Sequence, residues 1–356
     1  MKYELKDNKG KLLGIFIERE EDLWLLYTLL RKGDIVTMRT TRDVSIGEGE
    51  ESRRIPMVLS IMVSTMEFQP FTNRLRIRGL IVEGPEEYGL RGHYHSFNVE
   101  PGSYIEVYRE AGWTRRDIRR LEKYAVSTPR LLVISIDDDE IAVAEYSFLG
   151  LRIISSMSLP TMGKIYEVSV DERLGRLKEE INNMLSIMQR GNYKTILLIG
   201  PLLWVEQFKE LLEDQTRKMK IDLKIEIRPY GGLKGLKDVE SSGLLHKLLG
   251  TTVLQSANQA IETALQRLSN NQRTVAIGLF EVKKAAEQKA IEKLVILDEY
   301  LSTFDSSQRE EIEFILESTD AYGGEIIIVP STTNVAEKLR GLGGVVGLLR
   351  FELYEP

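Results

Sequence analysis

The sequence predicts a multidomain α/β protein, with a strand-rich barrel at the N-terminal end and two α/β segments behind it. Three observations carry this. At 356 residues the chain is longer than one hydrophobic core usually organises, and domains of roughly 100–200 residues are the norm. Its first third alternates short β-branched and apolar runs with glycine- and charge-rich turns, the mark of a compact barrel or strongly bent sheet. From Arg130 onwards, apolar strands and amphipathic helices follow one another in βαβ rhythm, which builds a parallel or mixed sheet flanked by helices.

In the first segment, residues 1–126, Asp22 precedes a helix whose apolar residues Leu23, Leu26, Tyr27 and Leu30 recur at helical spacing, and Gly33 stops it. The runs DIVTMRT, MVLSIMVSTMEF, RLRIRGLIV, HYHSFNV and YIEVYRE then read as strands. A basic helix from Trp113 to Ala125 carries Arg115, Arg116, Arg119, Arg120 and Lys123, and Pro129 marks a boundary behind it. In the second segment, residues 127–252, RLLVISI, DEIAVAEYSFL and LRIISSMSL are strands and residues 171–191 are helical. Strand KTILLIG, a helix with Trp204, Phe208, Leu211 and Leu212 on one face, and strand DLKIEIRPY follow. The third segment, residues 253–356, continues the alternation through TTVLQSANQAIETALQRL, TVAIG, FEVKKAAEQKA, KLVILD, SQREEIEFILEST, GEIIIVP, TNVAEKLRG and GVVGLLRFEL.

Composition excludes several classes of function. Without cysteine the chain forms no disulfide, thiolate nucleophile, zinc ribbon or iron–sulfur cluster. No apolar run reaches membrane-spanning length and no leader pattern opens the sequence, so a cytoplasmic protein without a membrane partner is expected. The net charge of −6 is unevenly spread: Lys+Arg against Asp+Glu runs 21 to 20, 17 to 18 and 10 to 16 over the three segments. The first segment therefore has room for a basic face, while the acidic third segment suits a protein partner better than RNA.

Enzyme signatures are scarce. No phosphate-binding GxxxxGK[ST] loop, dinucleotide GxGxxG turn or HExxH helix is present. Asp137, Asp138, Asp139 and Glu140 read as the solvated acids of a hairpin turn. His93 and His95 lie two apart, so a strand through both would place them on one face, within reach of RNA; two imidazoles alone are too few for a metal site. The arginines stand out. In RLRIR, Arg74, Arg76 and Arg78 alternate with Leu75 and Ile77, so a strand projects three guanidinium groups from one face. A glycine- and charge-rich loop carries Arg39, Arg42, Arg53 and Arg54, and together these side chains offer several forks for phosphate. The opposing reading is a solvated face with local ion pairs to Glu48, Glu50, Glu51 and Asp117.

The stretch EEDLWLLYTLLRKGDIV resembles the start of the Pelota family of archaeal and eukaryotic ribosome-rescue factors. RGHYHSFNVEPGSYIEVYRE, IGPLLWVEQF, AIGLFEVKKAAEQKAIEKLVILDEYL and GGEIIIVPSTTNVAEKLRGLGGVVGLLRF agree with the same family, in order and from end to end. The resemblance implies an Sm-like β-barrel for residues 1–126, a decoding-site module that contacts rRNA and mRNA. It implies α/β domains of the class-1 termination-factor type for residues 127–252 and 253–356. Termination factors carry a Gly-Gly-Gln tripeptide that places water at the peptidyl-tRNA ester. Here the glycine pairs at 231–232, 323–324 and 343–344 precede Leu233, Glu325 and Val345, so peptide release is not expected. Two further departures are a Thr40-Thr41-Arg42-Asp43-Val44 stretch where the family has Thr-x-Arg-Lys-Val, and Pro201-Leu202-Leu203-Trp204 in place of a Pro-Gly-Phe turn.

The same resemblance implies a monomeric rescue factor that enters the empty A site, is delivered by a translational GTPase of the elongation-factor-one-alpha type, and splits subunits with an ABC-type recycling ATPase. Pro201 and Trp204 mark its partner-binding turn, and no cofactor is required. The alternative is an endoribonuclease dependent on a divalent metal cation, which the family has been credited with. That chemistry needs an acid, a base or a metal at the scissile phosphate, and His93, His95, Glu48, Glu50 and Glu51 are its candidates in the first segment.

Overall fold

Seven strands form the first sheet: β1 (Lys2–Leu5), β2 (Leu12–Phe16), β3 (Ile35–Val44), β4 (Arg53–Gln69), β5 (Arg74–Glu83), β6 (Tyr94–Val99) and β7 (Tyr104–Tyr108). A computed structural model describes residues 1–44, 53–125, 129–159, 179, 182–189, 193–249, 252–302 and 305–354. The strand order is β1-β2-β7-β3-β4-β5-β6, and every described pair is antiparallel. Strand β4, at 17 residues, is shared: its first half pairs with β3 and its second with β5. Register shifts at Ser60/Ile61 and Val63/Thr65 bend it between these tasks. At the second shift β5 comes so close that a Cβ on Gly79 would lie 2.1 Å from the Met62 carbonyl oxygen, so only glycine fits. Leu13, Ile15, Leu59, Ile61, Leu75, Ile77, Phe97 and Val107 point inward and are fully buried.

Helix α1 (Glu20–Leu29) begins earlier than expected, with Arg19 as its N-cap. Asp22 sits in the first turn, where its carboxylate accepts from the Glu18 and Arg19 backbone N–H groups at 2.8 and 3.1 Å and lies 2.9 Å from the N-terminal ammonium. Negative charge is favourable there because the helix N-terminus carries free N–H groups. Gly33, at φ +90°, forms the turn after the helix. The helix buries more than one stripe: Leu23, Trp24, Leu25, Leu26 and Leu29 are all inaccessible, and Trp24 Nε1 donates to Asp298 Oδ2 at 2.7 Å.

The second sheet has the order β10-β9-β8-β11-β12, from β8 (Leu131–Ile136), β9 (Glu140–Ser147), β10 (Gly150–Ser158), β11 (Thr195–Gly200) and β12 (Asp222–Ile227). Strands β8, β11 and β12 are parallel and β9 and β10 antiparallel, the mixed sheet expected. One face is covered by helical residues 182–189 (α3) and by α4 (Leu202–Met219); the other by α5 (Gly232–Ser241) and α6 (Leu244–Leu249). Most of the helix expected over 171–191 lies outside the described residues. On α4 the buried stripe is narrower than the spacing suggests: Phe208 and Leu212 are inside, whereas Leu211 is 50% exposed.

Downstream come α7 (Thr252–Ser269), β13 (Val275–Ile277), α8 (Gly278–Glu287), β14 (Ile291–Leu297), α9 (Ser306–Ala321), β15 (Glu325–Val329), α10 (Asn334–Gly341) and β16 (Val345–Leu349), each where the alternation places it. Their sheet has the order β13-β16-β14-β15. By internal contact the chain forms two compact units, one of residues 1–127, 270–328 and 343–356 and the other of 128–269 and 329–342. No described helix is long and apolar enough to cross a membrane.

Candidate nucleic-acid interface

The alternation in RLRIR behaves as the pleat requires: Arg74, Arg76 and Arg78 are exposed while Leu75 and Ile77 are buried. Pairing with β6 sets Arg76 opposite Asn98 and Arg78 opposite Ser96. Arg42, near the end of β3, completes an open cleft of about 580 Å³ together with Thr41, Asp43, Arg76, Arg78, Tyr94, His95 and Ser96. Among the described residues, Arg42, Arg76 and Arg78 form no ion pair with a carboxylate, nor do Arg39, Arg53 and Arg54. Three guanidinium groups outside any described ion pair thus face one concave surface that holds a single carboxylate, Asp43, an arrangement suited to phosphate oxygens.

Other arginines from the same pattern stand outside the cleft. Arg39 projects to solvent from β3, and Arg53 and Arg54 open β4, so all three lie on strand arms and not in a loop. Arg54 Nε donates to Thr41 Oγ1 at 2.9 Å, which ties it to the rim. Arg74 is 3.8 Å from Glu100 and is partly neutralised. Glu48, Glu50 and Glu51 lie outside the described residues. On α2 (Arg115–Ala125) several cations are engaged by distant residues: Arg116 is buried against Glu313, Arg119 pairs with Asp320 at 3.1 Å, and Arg120 donates to Thr28 Oγ1. Asp117 belongs to Arg109, 3.0 Å away, and to no surface pair.

The two histidines do not act as a pair. Strand β6 starts at Tyr94, so His93 occupies the preceding turn, exposed, its backbone closing the turn through Leu90 and Ile81. His95 is half-buried, edge-on to Phe97 at 5.3 Å. Arg42 Nη1 donates to the Tyr94 carbonyl at 3.1 Å and stands 3.4 Å from His95 Nδ1. A guanidinium only donates, so Nδ1 is the acceptor and Nε2–H is left to donate to Thr40 Oγ1 at 3.2 Å. Burial and the Arg42 charge both hold this imidazole below its ordinary value of 6.5. It is therefore neutral at physiological pH, with Nδ1 facing Arg42 and Nε2 engaged by Thr40. A nuclear magnetic resonance titration should find the His95 midpoint below 6.5 and moved upward in Arg42→Ala; a midpoint unmoved by that substitution would contradict the contact.

Tyr94 is the residue that sequence reasoning passes over. Its ring is 54% exposed beside the cleft, with the Arg78 guanidinium carbon 5.0 Å from the ring centre. One tyrosine among the chain's 14 carries no signal until register sets it beside arginines of other strands.

In the other unit, Asp137–Asp139 are the only described trio of His, Asp or Glu close enough to share an ion. Asp137 is occupied structurally: its Oδ2 accepts from Gly231 N–H at 2.7 Å, and Glu140 Oε2 accepts from Leu233 N–H at 2.9 Å, so these acids cap the start of α5. Gly231 and Gly232 serve that close approach. Pro201 is the N-cap residue of α4, and Trp204 is partly buried on the sheet core. The exposed apolar surface of this turn is instead Leu202 and Leu203, at 55% and 61%.

Comparison with known proteins places this geometry. The Pelota N-terminal domain model matches residues 1–125, and the model of eRF1 domain 3 matches residues 254–353. The pelota homolog of Staphylothermus marinus is 32% identical over 360 residues, covering 100% of this chain and 99% of its own length. That of Sulfurisphaera tokodaii is 33% identical over 350 residues and 98% of each chain. The fold is that of the Thermoplasma acidophilum Pelota crystal structure, at a TM-score of 0.69 and 19% identity over 99% of this chain and 100% of the other. It is also that of S. cerevisiae Dom34, described as a translation termination-like factor involved in RNA quality control pathways and interacting with Hbs1, at 0.53 and 20% identity over 100% and 99%. The Sm-like barrel and termination-factor domains expected from the sequence are thus present, and the chain belongs to the Pelota family.

Proposed function

We propose that the protein recognises stalled ribosomes by entering the empty A site and promotes their release and decay of the faulty mRNA, without hydrolysing peptidyl-tRNA. A translational GTPase and an ABC-type recycling ATPase are its partners, and Dom34's interaction with Hbs1 is a partnership of the same kind. The observation that carries the reading is the cleft of Arg42, Arg76 and Arg78, three cations in no described ion pair and set against one lining acid, Asp43, on the domain that matches the Pelota N-terminal model. Such a surface grips phosphates without reading a codon, which suits a factor that must act on any message. Residues 1–126, 127–252 and 253–356 are our working domains, with Pro201, Trp204 and the neighbouring Leu202 and Leu203 as the partner-facing turn of the second.

The nuclease reading finds less support. His95 is held neutral between Arg42 and Thr40, beside a cation that disfavours a bound metal, and His93 sits apart in its turn. Among the described residues no trio of metal ligands lies in the first domain. The rescue reading is tested by cosedimentation with stalled ribosomes. Replacing Arg42, Arg76 and Arg78 together by Ala should flatten the log–log salt dependence by roughly one unit per lost contact, about three in all. An unchanged slope would remove the cleft from ribosome binding.

A further inference from the structure

The geometry points to Tyr94 as a stacking platform for one unpaired nucleobase, which makes the cleft a site for single-stranded RNA as opposed to duplex. This rests on the ribosome reading above and deepens it. An aromatic ring exposed over half its surface is left in water at a cost, and Tyr94 is 54% exposed. Its backbone carbonyl is held by Arg42 and its ring by Arg78, so the platform is fixed by the two cations that would bind the flanking phosphates. Ser96 and Asn98 continue its face of the strand, and they are hydrogen-bonding side chains that tolerate any base edge.

Shape favours a single strand. In a duplex the base faces are already stacked and the phosphates are the outermost groups, so an aromatic ring beside the arginines has nothing to bind. In an unpaired strand every base offers a face, and stacking on an aromatic ring is sequence-tolerant. The neutral His95 adds to this: it orients Arg42 without contributing charge of its own. The cleft therefore has a charge component from arginines and a stacking component from one ring, and these are separable by experiment.

The test uses the full-length protein and a short oligouridylate carrying one 2-aminopurine, whose fluorescence is quenched by stacking. Wild-type protein should quench it. Tyr94→Ala should weaken binding by about 5- to 150-fold and abolish the quench, while Tyr94→Phe keeps both because the ring alone is needed. Arg78→Ala should lower the salt slope by roughly one, and a duplex of equal length should bind without sensitivity to Tyr94→Ala. Equal affinity and equal quench for wild type and Tyr94→Ala would overturn the platform, even where the arginine variants still lose ribosomes. Oligomer binding that depends on Tyr94 in a protein that fails to cosediment with ribosomes would sustain the platform and fault the ribosome reading instead.

Discussion

Glu313→Ala should destabilise the first unit by roughly 3–5 kcal/mol, the range for removing one partner of a buried charge cluster. The carboxylate of Glu313, on α9, accepts from Arg31 Nη2 at 3.1 Å, from Arg309 Nη2 at 2.7 Å and from Arg116 Nη2. Taking it away leaves three guanidinium groups facing one another. They are poorly satisfied even in the wild type, where Arg116 Nε and Nη1, Arg31 Nε and Arg309 Nε are buried without a partner. Asp117 is committed to Arg109 at 3.0 Å, with Arg31 at 3.7 Å. Burial pushes the Glu313 and Asp117 carboxyls up, but the surrounding arginines outweigh it and hold both below their ordinary values of 4.5 and 3.8. A carboxylate depressed in the fold contributes stability above its unfolded pKa and loses it as pH falls through the folded one. Wild-type stability should therefore fall below about pH 4.5, and Glu313→Ala should show a shallower fall. Urea unfolding at several pH values measures this, whereas guanidinium chloride would screen the charges. A loss under about 1 kcal/mol at neutral pH would mean the cluster is solvated like a surface pair.

Gly200→Ala should cost roughly 2–6 kcal/mol in the second unit, from backbone strain and overpacking together. Gly200 ends β11 at φ +149°, where a side chain is strained, and a Cβ there would lie 2.1 Å from the Ile136 carbonyl oxygen. Backbone strain of about 1–3 kcal/mol and overpacking of a further ~1–3 kcal/mol act together, because the clash is with backbone that no rotamer change relieves. Either β8 or the start of α4 must shift, and Pro201 and Trp204 move with the latter. Thermal unfolding should show a lower transition, and affinity for the proposed GTPase partner should drop while the proposed binding of single-stranded RNA is unchanged. Wild-type stability in this variant would refute the packing at the strand end.

What the sequence shows and what it hides divide along the distance between partners. RLRIR declares its two faces because the pleat has a period of two, and the βαβ alternation after Arg130 needs only local periodicity. Helix α2 misleads for the opposite reason. Its five cations suggest a basic surface, but the acids that take up two of them, Glu313 for Arg116 and Asp320 for Arg119, lie 197 and 201 positions away. Asp22 looks like an N-cap because Ser, Thr, Asp and Asn occupy that position most often; serving the first turn from inside gives the same sequence signature. The histidine spacing fails because a glycine turn delays the strand by one residue, which separates His93 from His95. Tyr94 is invisible without the β5–β6 register that sets it near Arg78.

The first unit is assembled from three stretches of chain, and its Trp24–Asp298 hydrogen bond closes over 274 residues. That spacing is also an interval of time. At synthesis rates of roughly 5–20 residues per second, α1 emerges about 14–55 s before the residues that finish burying it. During that interval Trp24 lacks its acceptor, and an apolar helix waits at the surface of an incomplete nascent chain. A fragment released before Asp298 leaves part of that helix uncovered, which gives proteases and holding chaperones a physical mark by which to tell an unfinished copy of this protein from a finished one.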